Sequence, residues 1–186
     1  MSYISKIRKI CNNGLPPGPG PIENTPELCY FRDMKIAIAQ MAPCLGKVDK
    51  NLALHLSMIE KAKKAGADLV VFPELSLTGY LLRDMVEEVS LDPDTSPVIR
   101  KIASKTADIS VVLGFVEENH AENGIFYNSA AFLSGGKVLN VHREVFLPTT
   151  GMFEEARFFG SGKQFTQFNT PFGRVGLLIC RDFLHL

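Results

Sequence analysis

Two apolar runs, each closed by a polar side chain, constrain this chain more than any other feature. Leu69-Val70-Val71-Phe72 runs into Pro73-Glu74, and Val175-Gly176-Leu177-Leu178-Ile179 runs into Cys180-Arg181-Asp182. Each reads as a short buried strand that stops abruptly at a reactive group. A fold that satisfies both must bring a carboxylate and a thiol to one end of a sheet. Such a pair supplies a base and a nucleophile for acyl chemistry.

The rest of the composition narrows the class. With 186 residues, 46% of them apolar, the chain suits one domain with a sizeable core. Twenty basic residues balance twenty acidic ones, so no net field holds a polyanion. That argues against nucleic acid and against an anionic membrane as partners. No apolar run has the length of a membrane span, and Met1 to Cys11 lacks the continuous apolar stretch of a secretory signal. Cys11, Cys29, Cys44 and Cys180 show neither CxxC spacing nor a disulfide framework, which reads as reduced thiols in a cytoplasmic protein.

Residues 1–33 differ from the rest of the chain. The stretch Asn12-Asn13-Gly14-Leu15-Pro16-Pro17-Gly18-Pro19-Gly20-Pro21 suits neither helix nor central strand. It reads as a disordered leader, or as sequence ahead of a start at Met34. From Met34 a regular pattern begins, defining a domain over 34–186. Met34 to Gln40 reads as a first strand, and Asn51 to Ala65 as a helix with Leu52, Leu56, Ile59 and Ala62 on one face and Gly66 as its stop. Asp68 to Phe72 is a second strand, Ser96 to Thr106 a helix, and Ile109 to Phe115 a strand. Phe126 to Leu133 and Lys137 to Phe146 form a hairpin about Gly135-Gly136. Phe165 to Asn169 and Arg174 to Cys180 flank a turn at Thr170-Pro171-Phe172-Gly173. This order predicts an α/β layered fold with a mixed sheet. Neither GxGxxG nor GxxxxGK[ST] occurs, which removes a nucleotide-binding domain from consideration.

Cys180 taken alone suits a small buried hydrophobe. Arg181-Asp182 directly after it forces the chain out of the core, so the thiol is expected at the rim, with the Arg181 N–H placed to hold an oxyanion. Glu74 suits a solvated loop carboxylate equally well. Its place after Phe72-Pro73 supports instead a partly buried base, raised in pKa so that it accepts a thiol proton near neutral pH.

These residues carry a family resemblance. Phe72-Pro73-Glu74-Leu75-Ser76-Leu77-Thr78-Gly79-Tyr80 resembles the acid motif of the nitrilase, or carbon–nitrogen hydrolase, superfamily. Met34 to Gln40 resembles its opening strand and Tyr127-Asn128-Ser129-Ala130 its central hairpin. His142 to Pro148 lies where the family has its lysine motif, Gly151 to Phe159 is similar to the loop after it, and Gly176 to Asp182 resembles the nucleophile motif. The wording of the acid motif leans toward the amidase and glutaminase-like branches. The resemblance implies an αββα sandwich and hydrolysis of an amide or nitrile through a cysteine thioester. Glu74 is then the base, Cys180 the nucleophile, and Glu154, ahead of Glu155, a second acid that positions substrate. It implies a small-molecule amide or nitrile as substrate and, by analogy, a homo-oligomer. No metal or organic cofactor is implied, since neither His nor Cys spacing offers a ligand set.

Two departures stand out. Glu144 occupies the place of the lysine, reversing the sign of a charge meant to face an oxyanion. Arg143, its neighbour on a strand, should aim at the opposite face and leave the site unrescued. The chain also stops six residues past Cys180, where family domains continue, so the sandwich is expected to be truncated after the nucleophile strand. Both departures predict impaired catalysis, or an inactive homologue that serves as a binding or regulatory subunit.

Overall fold

The computed structural model describes residues 4–7, 34–120 and 124–185. Its frame is a six-stranded sheet in which sequence order equals spatial order, from β1 (Ile4–Ile7), β2 (Met34–Ile38) and β3 (Leu69–Val71) to β4 (Ser110–Asn119), β5 (Ile125–Ser134) and β6 (Lys137–Arg143). β2, β3 and β4 run parallel, with Ile36 beside Leu69 and Leu69 beside Ser110. The remaining neighbours are antiparallel. The parallel pairs require crossovers. α1 (Val48–Lys64) supplies the first, while α2 (Val86–Val89) and α3 (Pro97–Ala103) lie in the second.

The pleat sorts the sheet into two faces. Val70, Val111, Leu133 and Ala131 point to one side, where Ile59 and Ala62 of α1 and Ile99 and Ile102 of α3 close a core. Ile36, Leu69 and Phe132 point to the other, against Phe168, Phe172 and Leu177. Phe168 lies on β7 (Gln167–Thr170), which among the described residues pairs only with β8 (Gly173–Gly176), in a separate hairpin. The order is therefore helices, sheet, hairpin: an α/β sandwich with the hairpin standing in the second sheet layer. From Met34 to Gly176 the strands, α1 and α3 follow the order expected from the sequence, and α2 and α4 (Glu155–Phe158) are additions to it.

Three expectations are corrected. Ile4–Ile7 lies inside the stretch read as a leader, yet it pairs antiparallel with β2, Ile4 opposite Ala37. Residues 8–33 lie outside the described residues. The last strand ends at Gly176 rather than Cys180, and Cys180–Leu184 forms a 3-10 turn. Nor is that strand fully buried: β8 alternates half-buried and exposed residues, and Leu178 is exposed. The thiol and Glu74 consequently come from two different layers instead of one sheet.

Candidate active site

Glu74 leaves β3 through Pro73, and Leu75 after it adopts a left-handed conformation, φ 47°. The strain is imposed from both sides. Gly114 of β4 lies so close beneath this turn that a Cβ there would stand 2.3 Å from the Leu75 nitrogen, a backbone approach only glycine permits. Leu77 N–H donates to the Gly114 carbonyl at 3.0 Å, and Gly79 N–H to that of Leu75 at 2.7 Å. From the helical side, Asn51 Nδ2 donates to the Leu77 carbonyl at 3.0 Å. His55 lies against Phe72 and bridges the Asn51 carbonyl and Ser76 Oγ at 2.7 and 3.0 Å. Burial pulls the His55 pKa down to about 4, so the ring is neutral and can both donate and accept.

The Glu74 carboxyl faces Asn128 on β5. Asn128 Nδ2 lies 2.7 Å from Glu74 Oε1, 2.9 Å from Glu144 Oε2 and 3.3 Å from Glu155 Oε2. An amide has two hydrogens to offer three carboxyl groups. Glu155, which opens α4 (Glu155–Phe158), also accepts from the Tyr80 hydroxyl at 2.5 Å. Burial lifts Glu74 to about 7; the Asn128 bond opposes the rise, and the charges of Glu155 and Asp182 add to it. Glu144, fully buried, is pushed far up by burial and by the carboxyl of Glu155. Burial and the bond to Glu155 raise the Tyr80 hydroxyl as well.

Cys180 is exposed and strained, at φ 42°. Asp182 holds it in place. This fully buried carboxylate accepts from Val145 N–H and Phe146 N–H on one oxygen, both at 3.0 Å. On the other it accepts from His142 Nε2 at 2.7 Å and Ile179 N–H at 3.1 Å. The turn bearing the thiol is thereby clamped to the segment bearing Glu144. Burial raises the thiol's pKa, and Glu74, Glu144 and Glu155 raise it further. The Arg181 N–H bonds to the sulfur and opposes the rise.

Of the residues singled out in the sequence, Glu74, Glu144 and Cys180 converge here, and Arg181 contributes its backbone. Glu154 does not join the cluster. It is exposed and lines a shallow open cleft that reaches the cluster through Tyr80 and Glu155, walled by Leu82, Val86 and Phe158 among others. The buried acid is Glu155, because the one-turn α4 points that side chain inward. Arg143 turns away, as its alternation requires: it grips Glu117 at 2.6 and 3.0 Å and lies over the Tyr127 ring. Sequence reasoning assigned no role to Asn128, Tyr80, His142 or Asp182, although each sits inside a motif it quoted.

An α/β sandwich with a poised carboxyl beside an exposed, strained thiol is the frame of a carbon–nitrogen hydrolase. The chain belongs to that family: the carbon-nitrogen hydrolase profile matches residues 35–185. It is 36% identical over 152 residues to a glutamine-dependent NAD(+) synthetase of Acinetobacter baylyi, covering 82% of this chain and 28% of that protein. Among solved structures, Saccharomyces cerevisiae Nit3, a member of branch 10 of the nitrilase superfamily, superposes with a TM-score of 0.70 at 25% identity, covering 81% of this chain and 56% of that one. A variant of the amidase from Nesterenkonia sp. AN1 superposes with a TM-score of 0.66 at 25% identity, over 80% of this chain and 56% of that one. In that structure the acetamide moiety of fluoroacetamide has added covalently to the active-site cysteine. The chain thus spans just over a quarter of the NAD(+) synthetase and about half of the two other relatives. No described helix is long and apolar enough to cross a membrane.

Proposed function

We propose that this chain hydrolyses a small primary carboxamide through a thioester on Cys180, with Glu74 as the base. The glutamine in the relative's name carries such an amide, which favours amides over nitriles here. The observation that carries the assignment is the pairing of an exposed thiol with a carboxyl titrating at about 7 whose charge acts on it. Glu74 takes the thiol proton as Sγ attacks the carbonyl carbon. The proton then passes to the departing nitrogen, ammonia leaves, and a C–S bond remains. Glu74 next accepts a proton from water, which attacks the thioester and releases the carboxylic acid and the thiol. The cleft beside Tyr80 and Glu155, with Glu154 at its rim, receives the rest of the substrate. Turnover is slow, because three carboxyl groups and no lysine surround the carbon where negative charge develops. One lost oxyanion donor alone costs about 2.7–4 kcal/mol.

The same electrostatics favour a second role, a non-catalytic subunit that binds a longer relative. Exposure to fluoroacetamide with mass spectrometry of the Cys180 peptide separates the two. An adduct forming faster than on free cysteine supports the enzyme. A rate no greater than that of free cysteine refutes it, and co-purification with a longer relative would then support the subunit.

A further inference from the structure

Glu144 is fully buried just past the end of β6, and its carboxyl is hydrogen-bonded to a second buried carboxyl, that of Glu155. A hydrogen bond needs a donor, and two ionised carboxylates offer none. The donors around the pair show where the missing hydrogen sits. Glu155 Oε1 accepts from the Tyr80 hydroxyl at 2.5 Å, and Glu155 Oε2 from Asn128 Nδ2 at 3.3 Å. Glu144 Oε2 accepts from the same nitrogen at 2.9 Å. Glu144 Oε1 is the fourth oxygen of the pair, buried and with no donor among the described residues. The charges that act on Glu144 are of one sign, the carboxyls of Glu155, Glu74 and Asp182. Burial and like charge both favour a protonated carboxyl there. Asp182 is held differently, because a histidine nitrogen and three backbone N–H groups converge on it.

We infer that Glu144 and Glu155 share one proton, placed between Glu144 Oε1 and the Glu155 carboxyl, and that through it Glu144 is a positioning residue for the cleft wall at Tyr80 and Glu155. The pair then carries one negative charge instead of two, and the place where a lysine was expected holds a hydrogen-bond donor. A carboxylic acid kept neutral by its surroundings can serve in this way at neutral pH. Three groups then converge on Glu155: the Tyr80 hydroxyl, Asn128 and the shared proton. Glu155 in turn orients the Tyr80 hydroxyl, and both residues line the cleft. Asn128 also reaches Glu74 at 2.7 Å, which ties the pair to the base. The titratable groups that surround Glu144 are Glu155 and Tyr80 on the cleft side, Glu74 after β3, and Asp182 and Cys180 on the 3-10 turn. Glu74 keeps a separate proton for its exchange with the thiol. The positioning role rests on Glu74 and Cys180 acting as base and nucleophile. The shared proton itself does not.

The two halves are read separately on the full chain. Urea unfolding between about pH 6 and 8, natural chain against Glu144→Gln, counts the proton. A proton held in the folded pair and released on unfolding makes the natural chain's folding constant fall about tenfold per pH unit relative to the variant. Parallel profiles overturn the shared proton. Infrared spectra at about pH 9, two units above the Glu74 midpoint of about 7, should show the C=O stretch of a protonated carboxyl in the natural chain and in Glu74→Gln. Its absence also overturns the proposal, and this measurement still decides the matter if Glu144→Gln fails to fold. Acylation of Cys180 by an activated primary amide reads the positioning role. Glu144→Gln retains an N–H to donate to Glu155, whereas Glu144→Leu, close in volume, has none. The glutamine variant should acylate about tenfold faster than the leucine variant, the scale of a hydrogen bond to a charged group. Equal rates overturn the positioning role alone. No acylation in any of the three chains overturns the Cys180 assignment, and the positioning role with it, while the proton count stands.

Discussion

Replacing Glu74 by glutamine should change how stability depends on pH. In the folded chain this carboxyl titrates at about 7, against 4.5 for an unperturbed one. Its folded pKa is raised, so the folded state holds the proton more tightly than the unfolded state does. The stability this gives is complete below pH 4.5 and is lost as pH rises through 7. At 1.36 kcal/mol per pH unit the loss amounts to roughly 3 kcal/mol, trimmed toward 2 by solvent at the half-buried carboxyl. For a chain of this size that corresponds to roughly 4–12 °C in melting temperature. Thermal or urea unfolding from about pH 4.5 to 8 should therefore show the natural chain losing ground to Glu74→Gln across this window. Parallel pH profiles would show that Glu74 is an ordinary solvated carboxylate, and the assignment of a poised base would fail.

Three substitutions probe the supports around it. Gly114→Ala drives a methyl into the Leu75 nitrogen and the Glu74 Cα. It should cost about 1–3 kcal/mol as overpacking, read from the denaturant midpoint, and it should abolish Cys180 acylation even in the folded fraction. Asp182→Asn leaves His142 and three backbone N–H groups without their carboxylate. Breaking one such buried pair costs about 3–5 kcal/mol; an unchanged unfolding midpoint would contradict the clamp on the Cys180 turn. Glu144→Lys places a cation where negative charge develops and removes one carboxylate from beside the thiol. It should speed Cys180 acylation by about 10²–10³, and equal rates in the two proteins would refute the account of the oxyanion site.

What the sequence disclosed was whatever lay in local pattern. The apolar alternation placed α1, α3 and the strands from Met34 to Arg143 to within a few residues, because each buries one periodic face. The end of β8 was misjudged, since Leu177 to Ile179 are as apolar as a strand, yet the β7–β8 pairing stops at Gly176. Period alone carries no information about pairing. Which of Glu154 and Glu155 is buried was illegible for a related reason. Two adjacent acids look alike in sequence, and only the one-turn α4 decides which of them turns inward. Asn128 and Asp182 act through contacts 54 and 37 residues away in sequence, so no local spacing could reveal them. The carboxylate cluster was hidden in the same way: its members come from three separate segments of the chain.

The pairing of Glu74 with Cys180 is best settled by the rate at which an activated primary amide acylates the Cys180 sulfur, followed by intact mass from about pH 5 to 9. A rise with a midpoint near 7 in the natural chain, absent from Glu74→Gln, is the expected result. A profile identical in both proteins, or acylation confined to Cys44, would mean that the carboxyl and the sulfur do not work together.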